Sequence, residues 1–421
     1  MAERTPVVTV FLRHRGEVLL FRRSDAVGTY VDQWGTVAGH VATDEGVTQP
    51  PETAARAEIR EETGLDEGVV SLARMGDPFD VDDGERRWRV HPFLFDCETR
   101  AVEPNEETSE YEWCAPTELL RRDTVPRLWT SYDRVRPTVE TVAADTDHGS
   151  AYLSYRALEC LRDEAALRVD GQVERPVRSV ARALRGARPA MAVVENRVNR
   201  AMARAGDADD PAAVERAASE GLAEAFDADE RAAAWPDSPD APDTVLTLSR
   251  SGTVCGAIES ADPSQVFVAE SRPAREGVGV AESLAPEREV TLHTDAAVGH
   301  VLATEMVDAV VVGADAVLAD GSVVNKTGTR LVALAAAREG VPVYVVCAAD
   351  KVTAREEPHL ESGSPGAVYD GDAPLDVLNP TFDVTPADLV TGVLTDHGAL
   401  DTASVAEVAA EHASLAAWDE R

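Results

Sequence analysis

The stretch D-A-V-V-V-G-A-D-A-V-L-A-D-G-S-V-V-N-K-T-G-T-R, Asp308 to Arg330, decides how the chain is read. Ala309 to Val312 is an apolar burst of the kind a strand buried on both faces requires. It runs into Gly313-Ala314-Asp315, which puts a carboxylate at the strand's exit. Asp320-Gly321 marks a turn. Asn325, Lys326, Thr327 and Gly328 then precede a helix predicted over Thr329 to Arg338. Polar donors and a cation at a helix start suit an anion such as phosphate. Lys326 and Lys351 are the only two lysines in 421 residues. A chain that replaces lysine nearly everywhere and keeps it here points to a need for an ammonium.

Working outward, Thr244–Leu248, Val266–Ala269, Val290–His293, Ala309–Val312 and Val343–Cys347 read as strands alternating with helical segments. That order predicts a Rossmann-like parallel sheet covered by helices. In such sheets ligands bind beyond the carboxyl ends of the strands. Here those ends carry Ser249-Arg250-Ser251, Glu270-Ser271-Arg272-Pro273, Thr294-Asp295 and Asp315. Arginine and serine suit phosphate, and carboxylates suit hydroxyls or proton transfer. The expected ligand is a nucleotide or phosphorylated ribose, bound by Ser249, Arg250, Ser251, Glu270, Arg272, Asn325 and Lys326, with Asp315 as the acid. Lys351 follows its strand closely enough to reach the same place, or to serve in a salt bridge.

Three of these motifs, Glu270-Ser271-Arg272-Pro273, Gly313-Ala314-Asp315 and Asn325-Lys326-Thr327-Gly328-Thr329, resemble the translation initiation factor 2B alpha/beta/delta-like family. That family includes the ribose-1,5-bisphosphate and methylthioribose-1-phosphate isomerases, and the resemblance covers roughly residues 150 to 400. In the isomerases a cysteine works with the Asp of G-A-D, so the resemblance implies a catalytic role for Asp315. The cysteine position here is Ser249. A serine cannot take over thiol chemistry unaided. Cys255 reads as a small core residue of the following helix. The resemblance also implies a homo-oligomer built through this domain.

The N-terminal part has a different texture. Val7–Leu12 and Val18–Phe21 read as strands, and Pro51 to Thr63 as a helix stopped by Gly64. Glu58, Glu61 and Glu62 fall at i, i+3 and i+4, on one helical face. Carboxylates that close repel unless a cation joins them, and hard oxygens suit Mg2+ or Mn2+. Gly39, followed by Glu58-Ile59-Arg60-Glu61-Glu62-Thr63-Gly64-Leu65, resembles the box of the Nudix hydrolases. The resemblance implies a metal held by Glu58, Glu61, Glu62 and the Gly39 carbonyl, and cleavage of a nucleoside-diphosphate-linked substrate. The first half of the box is altered. Ala57 stands at its arginine and Gln49 at its first glutamate, while Glu45 keeps the spacing from Gly39. Arg56 has Glu52 within reach at i, i+4, and Glu107 or Glu110 is a further acidic candidate.

The expected organisation is therefore α/β throughout. A Nudix α/β/α sandwich over residues 1–142 is followed by a helical subdomain over 143–240. A Rossmann-like domain over 241–400 and an acidic tail over 401–421 complete it. Pro236 to Pro242 reads as a break between the second and third parts. Arg197, Arg200 and Arg204 read as a solvated face of a helix predicted over Ala190 to Ala205.

A formal charge of −36 excludes nucleic-acid or anionic-membrane binding through a broad basic face. Many acids with few lysines have the look of adaptation to high salt. Five scattered cysteines without a C-x-x-C pair fit a reducing cytoplasm. No signal-peptide core and no apolar run of about 20 residues is present, so no membrane span is expected. Three functions remain open: a Mg2+-dependent hydrolase fused to a sugar-phosphate-binding domain, a catalytically silent nucleotide sensor, and an aldose–ketose isomerase using Cys255.

Overall fold

A computed structural model describes residues 4–42, 49–84, 86–173, 175–236 and 241–420. Glu45 and the middle of the Pro236–Pro242 break lie outside the described residues. The chain divides into two compact units. The first comprises residues 1–138 and 162–175, and the second residues 139–161 and 176–421.

In the first unit, alternation of apolar residues builds a sheet with two covered faces. Its strands are β1 (Thr5–His14), β2 (Glu17–Arg23), β3 (Trp34–Gly35) and β4 (Val37–His40). Helix α1 (Pro51–Thr63) follows, then β5 (Val70–Met75), β6 (Phe79–Asp82), β7 (Arg87–Cys97), β8 (Thr108–Cys114) and helix α2 (Leu128–Asp133). The strand order is β3-β2-β1-β7-β5, with β4 on β1, β6 on β7 and β8 on β2. β1 and β7 run parallel, and β1 pairs antiparallel with β2 and β4. Val8, Val10 and Leu12 of β1 pack with Phe93, Phe95 and Val37 beneath Ala54, Ala55 and Ile59 of α1. Phe11, one residue out of step, faces the other way and meets Leu20, Leu94, Leu128 and Tyr132. A period of two thus feeds two cores and makes an α/β/α sandwich. Helix α1 begins with Pro51 at its first turn and ends at Gly64, whose φ of 70° closes the N–H onto the Arg60 carbonyl.

Helices come next: α3 (Val139–Ala144), α4 (Ser150–Val169), α5 (Val177–Ala187), α6 (Ala192–Ala205) and α7 (Pro211–Ala232). On α5, Val177, Val180, Ala181 and Leu184 are buried, the i, i+3, i+4, i+7 stripe of an amphipathic helix. The alternating part follows as β9 (Thr244–Leu248), α8 (Gly252–Ala261), β10 (Gln265–Ala269), α9 (Glu276–Leu284), β11 (Glu289–His293) and α10 (Val298–Thr304). It continues through β12 (Ala309–Val312), β13 (Ala316–Leu318), β14 (Val323–Lys326), α11 (Thr329–Glu339), β15 (Val343–Val346), β16 (Val352–Thr353) and β17 (Phe382–Thr385). It closes with β18 (Gly392–Thr395), β19 (Gly398–Leu400) and α12 (Thr402–Leu415).

The main sheet has the order β11-β10-β9-β12-β15-β18-β19. Its pairs are parallel except the β18–β19 hairpin. All four residues of β12 are buried, as its unbroken apolar run requires. The structure adds what the sequence reading lacked, a second sheet of order β16-β13-β14-β17. The Asp320-Gly321 turn is the tip of its β13–β14 hairpin.

One expectation is overturned. The supposed solvated face of α6 is partly buried, with Arg197 only 3% exposed. Arg197 donates to Asp350 at 2.9 Å and to the Ser154 hydroxyl at 2.8 Å, and pairs with Asp229 at 2.9 Å. Arg200 also pairs with Asp350, and only Arg204 keeps to the outer surface with Glu224. Burial of charge is tolerated because acids from α7 and the β15 end answer it. Among the described residues, no helix is long and apolar enough to cross a membrane.

Candidate functional sites

In the first unit, the chemistry gathers where α1 faces the end of β4. A Cβ on Gly39 would lie 1.7 Å from Glu58 Oε1, so only glycine leaves room for that carboxylate against the strand. One turn on, Glu62 is 8% exposed and accepts the Ala38 N–H at 3.0 Å. Burial pushes the Glu62 carboxyl up to about 8, against the Ala38 N–H, with Glu58 and Glu107 adding repulsion. The shift favours the protonated form. Glu61 is exposed. Among the described residues no group of three or more His, Cys, Asp or Glu side chains is gathered as for a metal ion. The geometry thus joins Glu58 and Glu62 at Gly39 and leaves Glu61 outside. It also separates the two further acids: Glu107 acts on Glu62, whereas Glu110 pairs with Arg22 at 3.5 Å. Arg56 does reach Glu52, at 2.9 Å, and lies over the Phe95 ring.

In the second unit, the strand ends converge as loops braced on one another. Ser249 has a φ of 63°, and its N–H donates to the Ser271 hydroxyl at 2.6 Å. The backbone N–H groups of Ser271 and Arg272 donate to Asp295 at 2.8 and 2.7 Å. Asp295 therefore holds the Glu270–Pro273 loop, a structural use the sequence reading did not anticipate. The Arg272 side chain is exposed. Ser251 caps α8 by accepting the Val254 N–H, and its hydroxyl faces Gly313. Arg250 donates to the Asp147 carbonyl, and Glu270 pairs with Arg275 at 3.4 Å.

Two anion-binding groups of the opening stretch are already engaged by the chain's own acids. Lys326 pairs with Glu276. At the start of α11, Gly328 and Arg330 donate their N–H groups to Asp383 at 2.8 and 3.2 Å. Asn325 is buried and donates to Thr329 at 2.9 Å, fixing the turn.

Asp315 leads into β13, and its N–H donates to the Val324 carbonyl of β14 at 2.8 Å. Burial raises its carboxyl, while Lys351, the Ser150 hydroxyl and Arg188 work in the other direction. Lys351 is 4% exposed and donates to the Ala314 carbonyl at 2.6 Å. Arg188 lies 3.4 Å from Glu361. Ser150, Arg188, Glu276, Glu361 and Asp383 were not found from sequence. Only Arg188 left a faint signal, a basic residue between a helix end and Pro189. Cys255 packs half-buried against the core that α8 shares with the sheet, and burial pushes its thiol up.

Residues 146–402 match the model of the initiation factor 2 subunit family, and residues 3–135 that of the NUDIX domain. A methylthioribose-1-phosphate isomerase of Carboxydothermus hydrogenoformans is 39% identical over 159 residues, 35% of this chain and 46% of that protein. A methylthioribose-1-phosphate isomerase of Heliobacterium modesticaldum is 38% identical over 173 residues, 36% of this chain and 49% of that protein. The chain spans about half the length of these relatives. Among solved structures, the translation initiation factor eIF-2B of Pyrococcus horikoshii OT3 superposes with a TM-score of 0.52 at 24% identity, over 62% of this chain and 94% of that one. The 5-methylthioribose 1-phosphate isomerase of the same organism gives 0.51 at 20% identity, over 73% and 90%. At these identities the likeness is one of fold.

Proposed function

Since the chain belongs to the initiation factor 2 subunit family and carries a NUDIX domain ahead of that module, we propose a two-part function. The first domain hydrolyses a nucleoside-diphosphate-linked substrate, and the second binds a phosphorylated ribose or nucleotide. The observation that carries the first half is the fit of Glu58 against Gly39, with Glu62 on the neighbouring Ala38 N–H. Glu58, Glu62 and the Gly39 carbonyl form a hard-oxygen donor set, and Glu61 is the outer carboxylate that completes it. Bound Mg2+ or Mn2+ would supply charge neutralisation of the diphosphate and acidification of a water. The chain's own part is to place the carboxylates of α1 beside the attacking water. The water oxygen bonds to phosphorus, the bridging P–O bond breaks, and the water proton passes to a carboxylate of α1. Screening nucleotide sugars and dinucleotides with Mg2+ or Mn2+ at several KCl concentrations tests this. Turnover that Glu61→Gln abolishes supports it, and no turnover of any substrate refutes it.

For the second half, ribose-phosphate recognition rests on the kinship with isomerases and on the polar strand ends. Ser249, Arg250, Ser251, Glu270, Arg272, Asn325 and Lys326 are the ligand-facing set we assign, with Asp315 as its acid. Ser249 in the thiol position favours binding over isomerisation. A sensor without turnover at either site is therefore the second reading. Tight binding of AMP or ribose 5-phosphate by calorimetry, with no product from either domain, would establish it in place of the hydrolase.

A further inference from the structure

Resting on the reading of the second module as a sugar-phosphate binder, we propose that Lys351 is the positioning residue for Asp315. The loop that carries it is in turn fixed by α6 and by the C-terminal helix α12. Three consecutive residues carry the argument. The Lys351 ammonium, 4% exposed, reaches across from the end of β15 to the Ala314 carbonyl at 2.6 Å, one residue from Asp315. Burying an ammonium is costly unless it is answered by charge or hydrogen bonds. Asp315 is the acid whose carboxylate it favours.

The residues on either side of Lys351 point the other way. Asp350 is held by Arg197 at 2.9 Å and by Arg200. The Asp350 and Val352 carbonyls each accept from Asn196 Nδ2 at 2.8 Å. Val352 also meets His412 Nδ1 at 2.7 Å, and His412 Nε2 lies 3.1 Å from Arg200. His412 belongs to α12, nearly all of which follows residue 402, where the family match ends. Trp418 beyond it donates to Asn199 of α6 at 3.0 Å. The tail thus docks on the helix that clamps residues 350–352, and those residues hold Lys351 on the Ala314 carbonyl, one residue before the acid.

Four groups act on the Asp315 carboxyl: Lys351 from the β15 end, Ser150 from the start of α4, Arg188 after α5, and Glu361 from the segment between β16 and β17. Arg188 is shared with Glu361. Ser150 carries no charge. Lys351 is therefore the cation whose loss Asp315 feels most.

The test uses the full chain, with Lys351→Met, Lys351→Gln and Lys351→Arg. Aspartate carboxyl carbons are labelled with carbon-13, and the Asp315 signal is identified by its loss in Asp315→Asn. In ligand-free protein, Lys351→Met or Lys351→Gln should raise the Asp315 titration midpoint by about one pH unit or more. Lys351→Arg should restore most of it. His412→Leu, which leaves Lys351 in place but loosens its loop, should shift the midpoint in the same direction by less. An Asp315 midpoint unmoved in folded Lys351→Met and Lys351→Gln overturns the proposal. Should both neutral variants fail to fold, an Asp315 midpoint unmoved in His412→Leu overturns it instead. Ribose 5-phosphate binding, measured by calorimetry, should weaken at least tenfold in the neutral variants and recover with arginine. Wild-type protein that binds neither ribose 5-phosphate nor AMP sinks the ligand reading alone, and the carboxyl titration still decides the positioning role.

Discussion

Replacing Asp350 by asparagine removes one charge from a place where three basic groups converge. Arg197 donates to it at 2.9 Å, Arg200 pairs with it, and His412 Nε2 lies 3.8 Å away. Although burial opposes ionisation, the guanidinium groups of Arg197 and Arg200 hold the carboxyl down to about 2. Relative to an ordinary aspartate, that is worth about 2 kcal/mol of folding stability. Because the folded value is depressed, the contribution is complete above about pH 4 and is lost as the pH falls through about 2. The substitution costs more than the titration, because Arg197 stays buried and loses one of the two acids, Asp350 and Asp229, that answer its charge. Breaking a buried pair from one side costs about 3–5 kcal/mol. At about 2–4 °C per kcal/mol, the second unit should melt roughly 6–20 °C lower. The assay is thermal unfolding at neutral pH, repeated at low and high KCl. Salt screens surface pairs and barely touches buried ones, so the loss should persist at high salt. Glu224→Gln, which breaks an exposed pair with Arg204, is the control and should cost about 0–1 kcal/mol. The reasoning is refuted if Asp350→Asn melts within 2 °C of the parent, or if its loss disappears with salt as the control's does.

Gly39→Ala places a Cβ where Glu58 Oε1 now sits. Metal-dependent turnover should fall at least tenfold, with a change in melting temperature of only a few degrees; a fully active variant removes Glu58 from the site. Gly277→Ala would put a Cβ 2.0 Å from the Ala269 carbonyl, against backbone that cannot yield. It should destabilise the second unit by roughly 1–3 kcal/mol in urea unfolding. Cys255→Ser should leave any aldose–ketose conversion unchanged, since that thiol packs half-buried against the core around α8. Loss of conversion in the folded variant would return Cys255 to the active site.

What the sequence made legible was the part governed by local periodicity and short motifs. The unbroken Ala309–Val312 run meant a doubly covered strand, and Pro51 and Gly64 bounded a helix. The E-x-x-E-E spacing brought Glu58 and Glu62 to Gly39 and Ala38, while Glu61 stayed exposed. What escaped depends on contacts distant in sequence. No local pattern says that Arg197 will find Asp350 more than 150 residues away, because charge burial is decided by the partner. Asp383 and Glu276 read as two more acids in a chain full of them. The second sheet escaped because β13, β14 and β16 are each only two to four residues long. The acidic tail likewise gave no sign that His412 and Trp418 would be interior residues.

The carboxylates at the start of α11 and on Lys326 have one more consequence. Glu276 and Asp383 are tethered, so each faces its partner, the Lys326 ammonium or the backbone N–H groups of Gly328 and Arg330, at the high effective concentration of an intramolecular group. An incoming phosphate would not fill empty positions; it would have to exchange with anions that cannot diffuse away. A singly charged ligand gains little from such an exchange. A phosphomonoester dianion brings more charge and a third oxygen than the group it displaces. The same tethering makes the exchange nearly neutral in released counterions, so dianion affinity should vary little between dilute and concentrated KCl.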